Sequence, residues 1–202
     1  MGRNLRAPLA RRGRVVESVS RDVIEALQLR LNAKDRTLLD AYRLYQKGRY
    51  YLDKRSAEGL RMAVDFFGQA IRIDPSYAPA HAGLANCHSL LSYYGGGRPE
   101  ESYSKARAAA QRAIDLDETL ADAHTALALV LRDYDRAWAR AEREFKRAIE
   151  LNPKYATALQ WYAEYLAALG RHDEAIRTMQ RARELAPLEL IIAADLGWVY
   201  YL

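Results

Sequence analysis

The stretch DRAWARAEREFKRAIELNPKYATALQWYAEYLAALGRHDEAIRTMQRARELAP, residues 135–187, decides the fold. Inside it one unit comes round again: Ala148 and Pro153 recur as Ala182 and Pro187, a step of 34 residues. Each unit ends its second apolar-periodic run at a proline. Proline has no amide proton and restricts the residue before it, so a helix stops there. A fixed period of this size marks a stack of small helical units rather than one enclosed globular core.

The same step reads outward through the chain. Ala70, Ala113, Ala148 and Ala182 are spaced by 43, 35 and 34 residues, and Pro75, Glu118, Pro153 and Pro187 keep the same spacing. The long first step is taken up by a loop around Gly95, Gly96 and Gly97. The periodicity predicts helix pairs over 37–52 with 57–73, 77–93 with a partner starting at Pro99 or Glu100, 120–131 with 137–149, and 156–169 with 172–185. A fifth first helix runs from residue 189 to residue 202 and would expose Leu190, Ile191, Leu196, Trp198 and Val199 unless something caps it. Such a face suits self-association. Gly48 costs about 1 kcal/mol against alanine in a helix interior, which is tolerated where a neighbour must come close. Upstream, Val19, Val23, Ile24, Leu27 and Leu31 form one apolar stripe on a helix over 15–31, and residues 32–34 break it.

The composition agrees with a soluble helical fold: 50% of the residues are hydrophobic and 28% charged. The net charge of +5 is local. Arg3, Arg6, Arg11, Arg12 and Arg14 lie in a 14-residue opening tail without an acid, and the rest of the chain is balanced. The tail could touch nucleic acid by charge alone. Nucleic acid is not expected to bind the folded body. One cysteine, Cys87, excludes an intramolecular disulfide framework and fits a reducing compartment. No apolar run is long enough to be a membrane segment.

The side chains that could do chemistry do not converge. His81, His88, His124 and His172 are scattered, and His81, Cys87 and His88 lack a structural zinc spacing. His81 and His124 fall at the same place in successive units and read as packing residues. The Gly95–Gly97 loop has no phosphate-binding Lys-Ser/Thr after it. The paired acids Glu142 and Glu144, or Asp173 and Glu174, sit among arginines on polar helix faces and read as solvated surface. No enzymatic activity, no cofactor and no metal are expected.

The recurring residues resemble the tetratricopeptide repeat family. The fourth unit carries Leu159, Tyr162, Ala163, Leu166, Ala175, Met179, Ala182 and Pro187 at the family's signature places. The third carries His124, Leu127, Ala128, Leu131, Ala141, Phe145, Ala148 and Pro153. The second has His81, Leu84, Ala85, His88, Ala106, Ala110 and Ala113, with Glu118 in place of the proline. The first keeps Leu44, Gly48, Tyr51, Ala63, Phe67, Ala70 and Pro75, and a fifth supplies Ala193, Leu196, Gly197 and Tyr200. The resemblance implies an all-α, right-handed α-solenoid of helix-turn-helix repeats over 37–202, divided as 37–76, 77–119, 120–154, 155–188 and 189–202.

In this family the first helices line a groove, with their second, fifth, ninth, twelfth and thirteenth positions pointing into it. Carried onto this chain, the groove residues include Tyr42, Tyr45, Arg49, Asn86, Ser89, Asp122, Thr125, Arg132, Asp133, Thr157, Gln160 and Glu164. A protein or peptide partner is thereby implied. Arg49 and Asn86 resemble parts of the family's clamp for a terminal carboxylate. Asp122 and Ala126 stand where its basic residues should be, so that clamp is not expected.

Several blocks, among them YQKGRYYLDKRSAEGLRMAVDFFGQAIRIDPSYAPAHAGLA and LSYYGG, look like bacterial regulatory proteins. In those a tetratricopeptide region follows a TolB-like segment behind a winged-helix DNA-binding, adenylate-cyclase or protein-kinase domain. SVSRDVIEALQLRL, within residues 15–36, is similar to the closing helix of the TolB-like segment. The resemblance implies a cytoplasmic scaffold or regulatory module in signalling or transcription, and a chain that is a fragment lacking its output domain. A DNA- or RNA-associated regulator and an accessory region of a cyclase or kinase are the alternatives.

Overall fold

The computed structural model describes residues 33–95 and 97–201, and every regular element among them is a helix. These are α1 (Ala33–Leu52), α2 (Ala57–Ile73), α3 (Ala78–Tyr93), α4 (Pro99–Leu116), α5 (Ala121–Asp133), α6 (Trp138–Leu151), α7 (Ala156–Ala168), α8 (His172–Leu185) and α9 (Leu190–Tyr201). The basic tail and the helix expected over 15–31 lie outside the described residues. The chain divides into a unit over residues 1–40, of which only the start of α1 is described, and a unit over residues 41–202.

The architecture is a stack of antiparallel helix pairs, an α-helical solenoid. The expected break at 32–34 is corrected in part, because Ala33 and Lys34 belong to α1. Both are good helix formers, and Asp35 sits in the first turn where the helix dipole favours an acid. Pro99 opens α4, at a place where a missing amide proton costs nothing. Ser56 caps α2, its hydroxyl accepting from the Gly59 amide at 3.1 Å.

The turns between pairs share one device. Asp74 accepts from the Ser76 amide at 2.9 Å, Asp117 from the Thr119 amide at 2.9 Å, and Asn152 from the Lys154 amide at 3.1 Å. An Asp or Asn side chain bonding its own backbone two residues on fixes a turn without any help from proline. That is why Glu118 can replace proline in the second unit. His81 Nε2 lies 3.1 Å from the Pro75 carbonyl and His124 Nε2 2.9 Å from the Glu118 carbonyl, so the two histidines bind equivalent turns.

Packing depends on side chains that are small. The α2 residues Ala63, Phe67 and Ala70 are fully buried. The Phe67 ring lies between α1 and α3 at the two glycines that face it. A Cβ added at Gly48 would come within 2.5 Å of the ring, and one added at Gly83 within 2.5 Å as well. Further along, Ala106, Ala110 and Ala113 of α4, Ala141 and Ala148 of α6, and Ala175 and Ala182 of α8 are all fully buried. They let Phe145 and Met179, also fully buried, fill the space between pairs.

Helices α3, α5 and α7 pack on their partners, α9 packs on α8, and all four also pack each on the next, forming an inner row. This explains why α5 is buried over almost its whole circumference, while α6 buries only Ala141, Phe145 and Ala148. The expected exposure of α9 is corrected at two positions. Leu196 and Val199 are buried, together with Ile192, while Leu190 and Trp198 stay exposed. Among the described residues no helix is long and apolar enough to cross a membrane.

These contacts reverse an expectation from helix propensity. Propensity alone says that Gly83→Ala stabilises α3 by about 1 kcal/mol. The Phe67 ring stands in the way, so the substitution is expected instead to cost about 1–3 kcal/mol in urea unfolding, as overpacking does. Ala182→Leu is expected to cost about the same. Gly197 has nothing within 4 Å of an added Cβ. Gly197→Ala is therefore expected to be neutral or stabilising, by up to about 1 kcal/mol. A Gly83→Ala protein as stable as the wild type would contradict this account of the packing.

His124 makes part of the stability depend on pH. Its Nδ1 lies 2.7 Å from Glu144 Oε2 and its Nε2 faces a carbonyl, so both ring nitrogens meet acceptors. The hydrogen bond to Glu144 raises its pKa despite the opposing effect of burial. A raised folded pKa gives stability that is fully present below the unfolded value of about 6.5 and is lost as pH rises through the folded value. The stability gap between wild type and His124→Gln is expected to be widest at acidic pH and to narrow towards pH 9. A gap that widens with pH would overturn the assignment. Burial lowers the pKa of His81 and His88, which gives the opposite slope, so the difference between variants is the quantity to measure.

Candidate functional site

The inner row presents two adjoining hollows that share Arg55 and Trp161. The first, of about 20 Å³, is lined by α1, α3, α5 and α7 through residues such as Tyr45, Arg49, Asn86, Asp122 and Thr157. The second, of about 190 Å³, is lined by α3, α5, α7 and α9 and by the turn that carries Arg55. Their order along the row follows from the stacking: each first helix contributes one strip of wall.

In the first hollow Arg49 donates to the Tyr45 hydroxyl at 3.0 Å and stands 3.8 Å from Asp122. The Tyr155 hydroxyl donates to Asp122 at 2.9 Å. Burial, reinforced by the Asp122 charge, pushes the Tyr155 hydroxyl well above its usual value, so it remains a donor. Asn86 is almost fully buried, and its side-chain oxygen has no hydrogen-bond partner in the protein. A buried acceptor left open is costly and marks a place where a donor is wanted.

The second hollow is organised by Arg132, whose residue surface is only 8% exposed. Its guanidinium donates to Asp133 at 2.5 and 3.1 Å, to the Trp161 carbonyl at 3.2 Å and to Glu164 at 3.1 Å. Gln160 donates to Asp195 at 2.5 Å. The Arg55 guanidinium lies over the Trp161 ring, 5.3 Å from its centroid. Glu164 is different from an ordinary surface acid. Its burial, with Asp195 and Asp133 nearby, outweighs the attraction of Arg132 and raises its pKa to about 7.

Eight of the twelve residues read from the sequence fall on these walls. Tyr45, Arg49, Asn86, Asp122 and Thr157 line the first hollow, and Arg132, Gln160 and Glu164 the second. Asp133 is held behind the wall by Arg132. Tyr42 is exposed and lies off both hollows, its ring 6.5 Å from that of Tyr45. Ser89 and Thr125 are fully buried and present no surface; the Thr125 hydroxyl is spent on the Ala121 carbonyl at 2.8 Å.

The sequence reading missed Leu52, Leu90, Leu129 and Ile191, which line the same hollows as the polar residues but are apolar. It also missed Asp195, and Arg55 in the turn after α1. Arg55 has φ of 48°, left-handed backbone that a non-glycine residue seldom adopts.

The other candidates are committed elsewhere. Glu142 accepts from Arg171 at 2.9 Å, from Lys146 at 3.0 Å and from the Tyr162 hydroxyl at 3.1 Å. These bonds, led by those from Arg171 and Lys146, hold its carboxyl down at about 2. The Cys87 thiol is buried, and burial pushes its pKa up. Among the described residues no three His, Cys, Asp or Glu side chains are placed to hold a metal ion.

Comparison with known proteins agrees with this architecture. A tetratricopeptide repeat family model matches residues 133–194. The transcriptional regulator HilA of Salmonella typhimurium is 23% identical over 163 residues, which cover 81% of this chain and 29% of HilA. Anaphase-promoting complex subunit 3 of Schizosaccharomyces pombe is 30% identical over 123 residues, covering 58% of this chain and 16% of that protein. The chain thus spans less than a third of the length of these relatives. Among solved structures, TTC0263, a thermophilic tetratricopeptide repeat protein of Thermus thermophilus, superposes with a TM-score of 0.65 at 21% identity, covering 81% of this chain and 82% of that one. PilF of Pseudomonas aeruginosa gives 0.58 at 18% identity, covering 84% of this chain and 70% of that one. The fold of this chain is therefore the tetratricopeptide repeat fold.

Proposed function

We propose that the chain is a non-catalytic protein-contact module whose inner row of helices grips an extended peptide or a helix of a partner. The observation that carries this reading is the pair of adjoining hollows, where polar and aromatic side chains from α1, α3, α5 and α7 face one strip of surface. Peptide grooves of this kind combine apolar walls with a few fixed polar groups, which is the mixture found there. In this reading residues 37–76, 77–119, 120–154 and 155–188 are the working repeats and 189–202 opens a fifth. Residues 15–36 close a TolB-like segment, behind a basic tail at 1–14.

The setting we infer is the regulatory part of a larger cytoplasmic protein of bacterial signalling or transcription. Its support is the likeness to a transcriptional regulator over 81% of this chain, of which the matched part is only 29% of the relative.

The test is a selection of random twelve-residue peptides displayed on phage, followed by affinity measurements on the purified chain. Tyr45→Phe and Gln160→Ala are expected to weaken the selected peptides, the buried glutamine by about tenfold through the loss of its hold on Asp195. Failure to select any peptide, or peptides indifferent to both substitutions in folded protein, would remove the groove from the account.

A further inference from the structure

The geometry points to the larger hollow as a pocket for a basic side chain, lysine or arginine, of the bound peptide, with the ammonium or guanidinium seated between the aromatic wall and the carboxylates of Glu164 and Asp195. This rests on the groove reading and adds to it the chemical class of the residue that the partner must supply.

Charge decides the class. Arg132 is neutralised by Asp133, which it holds through two bonds. What remains towards the opening is one cation, Arg55, against two carboxylates, Glu164 and Asp195. Gln160 gives Asp195 a single amide donor, and Glu164 has only a share of the Arg132 Nη1 that also serves the Trp161 carbonyl. The positive charge of Arg55 is already laid over the Trp161 ring and lies within 4 Å of no carboxylate among the ion pairs of the described residues. A cation is attracted both to a carboxylate and to the face of an aromatic ring. Here Tyr93 and Tyr94 supply the open faces, and Leu90, Leu129 and Ile191 supply the apolar wall that a lysine or arginine stem covers.

The adjoining hollow holds an open acceptor as well, in a space of about 20 Å³. The buried side-chain oxygen of Asn86 lacks a partner, and Asn86 lines the adjoining hollow that shares Arg55 and Trp161 with this one. An acceptor without a donor and a surplus of carboxylate side by side both call for donors. A cationic head supplies them to the carboxylates, and the small space beside Asn86 has room for one water as the donor to its oxygen.

The pocket also carries its own signature in pH. Glu164 is faced by Arg132 and Asp133 from α5, by Asp195 from α9, by Tyr93 at the end of α3, whose hydroxyl lies beside Asp133, and across the hollow by Arg55. With its carboxyl raised to about 7 by burial, it gains negative charge as pH rises through neutrality. Only the ionised form attracts a cation, so affinity for a basic side chain rises with pH across that window. Lysine keeps its charge throughout it, since its own pKa is about 10.4.

The experiment compares three probes on the full chain: the pentapeptides acetyl-GGKGG-amide, its Nε-acetyl-lysine version, and acetyl-GGEGG-amide. Binding is followed by NMR through the Trp161 indole N–H. At pH 8 and low salt the lysine probe is expected to bind about fivefold more tightly than the acetylated one, the size of a cation contact in an open, solvated pocket. The preference should shrink at pH 6. Glu164→Gln should remove both the preference and its pH dependence, and Asp195→Asn should reduce the preference in a protein that keeps the wild-type helical signal. Equal binding of charged and neutral lysine, tighter binding of the glutamate probe through Arg55, an unchanged preference in folded Glu164→Gln, or no binding of any probe would overturn the assignment. The phage-selected peptides separate the two readings. If they still depend on Tyr45 and Gln160 while no lysine preference exists, the cation pocket falls and the groove remains.

Discussion

The close approach of helix backbones around Phe67 is the constraint on which the rest of the stack depends. The ring belongs to α2, yet it meets α1 at Gly48 and α3 at Gly83, and neither place has room for a methyl group. One side chain thus sets two helix separations. The later pairs meet the same need with alanines on α4, α6 and α8. An alanine buries less apolar area than a leucine and contributes less by itself. Its contribution is distance: helices that cross on alanine come close enough for Phe145 or Met179 to be wholly enclosed. Interiors are packed to crystal density, so these separations are held rather than averaged.

The fold is legible in the sequence because its determinants are local and recur. A small residue at a fixed place in the second helix, followed five residues later by a turn, is visible without any knowledge of neighbours. Glu118 looks like a defect in that pattern. It is not one, because the turn chemistry resides in Asp117, which bonds Thr119 as Asp74 bonds Ser76. The start of α1 is harder to read, because of residues 32–34 only the asparagine is a poor helix former. Loss of an apolar stripe groups Ala33 and Lys34 with it, and a stripe reports burial rather than helix.

The site is legible by direction but not by depth. Helix position says which way a side chain leaves the backbone. It does not say what its neighbours cover. Ser89 and Thr125 point from the inner row yet vanish under adjacent helices, since first helices touch one another as well as their partners. Leu90, Leu129 and Ile191 escape a search for polar groups because they are apolar, although they form the wall on which the polar groups are set. Arg55 follows no helical period. It reaches Trp161 from a turn whose left-handed backbone is more often given to glycine, as at Gly170 in the fourth pair.

Two carboxylates show how the same fold commits one acid and leaves another open. Glu142, on the second helix of its pair, receives donors from α6, from α7 and from the residue before α8, and its pKa falls to about 2. Glu164, on the first helix of the next pair, shares one guanidinium with Asp133 and looks across at Asp195, and its pKa rises to about 7. Neither value is a property of glutamate. The outer face has room for long basic side chains to turn back onto an acid. On the inner row Arg55 is laid over Trp161 and Arg132 is divided between Asp133 and Glu164, so Glu164 receives only part of one guanidinium. The same two-sided stack thus gives one glutamate a full set of donors on its outer face and leaves another under-supplied on its inner row.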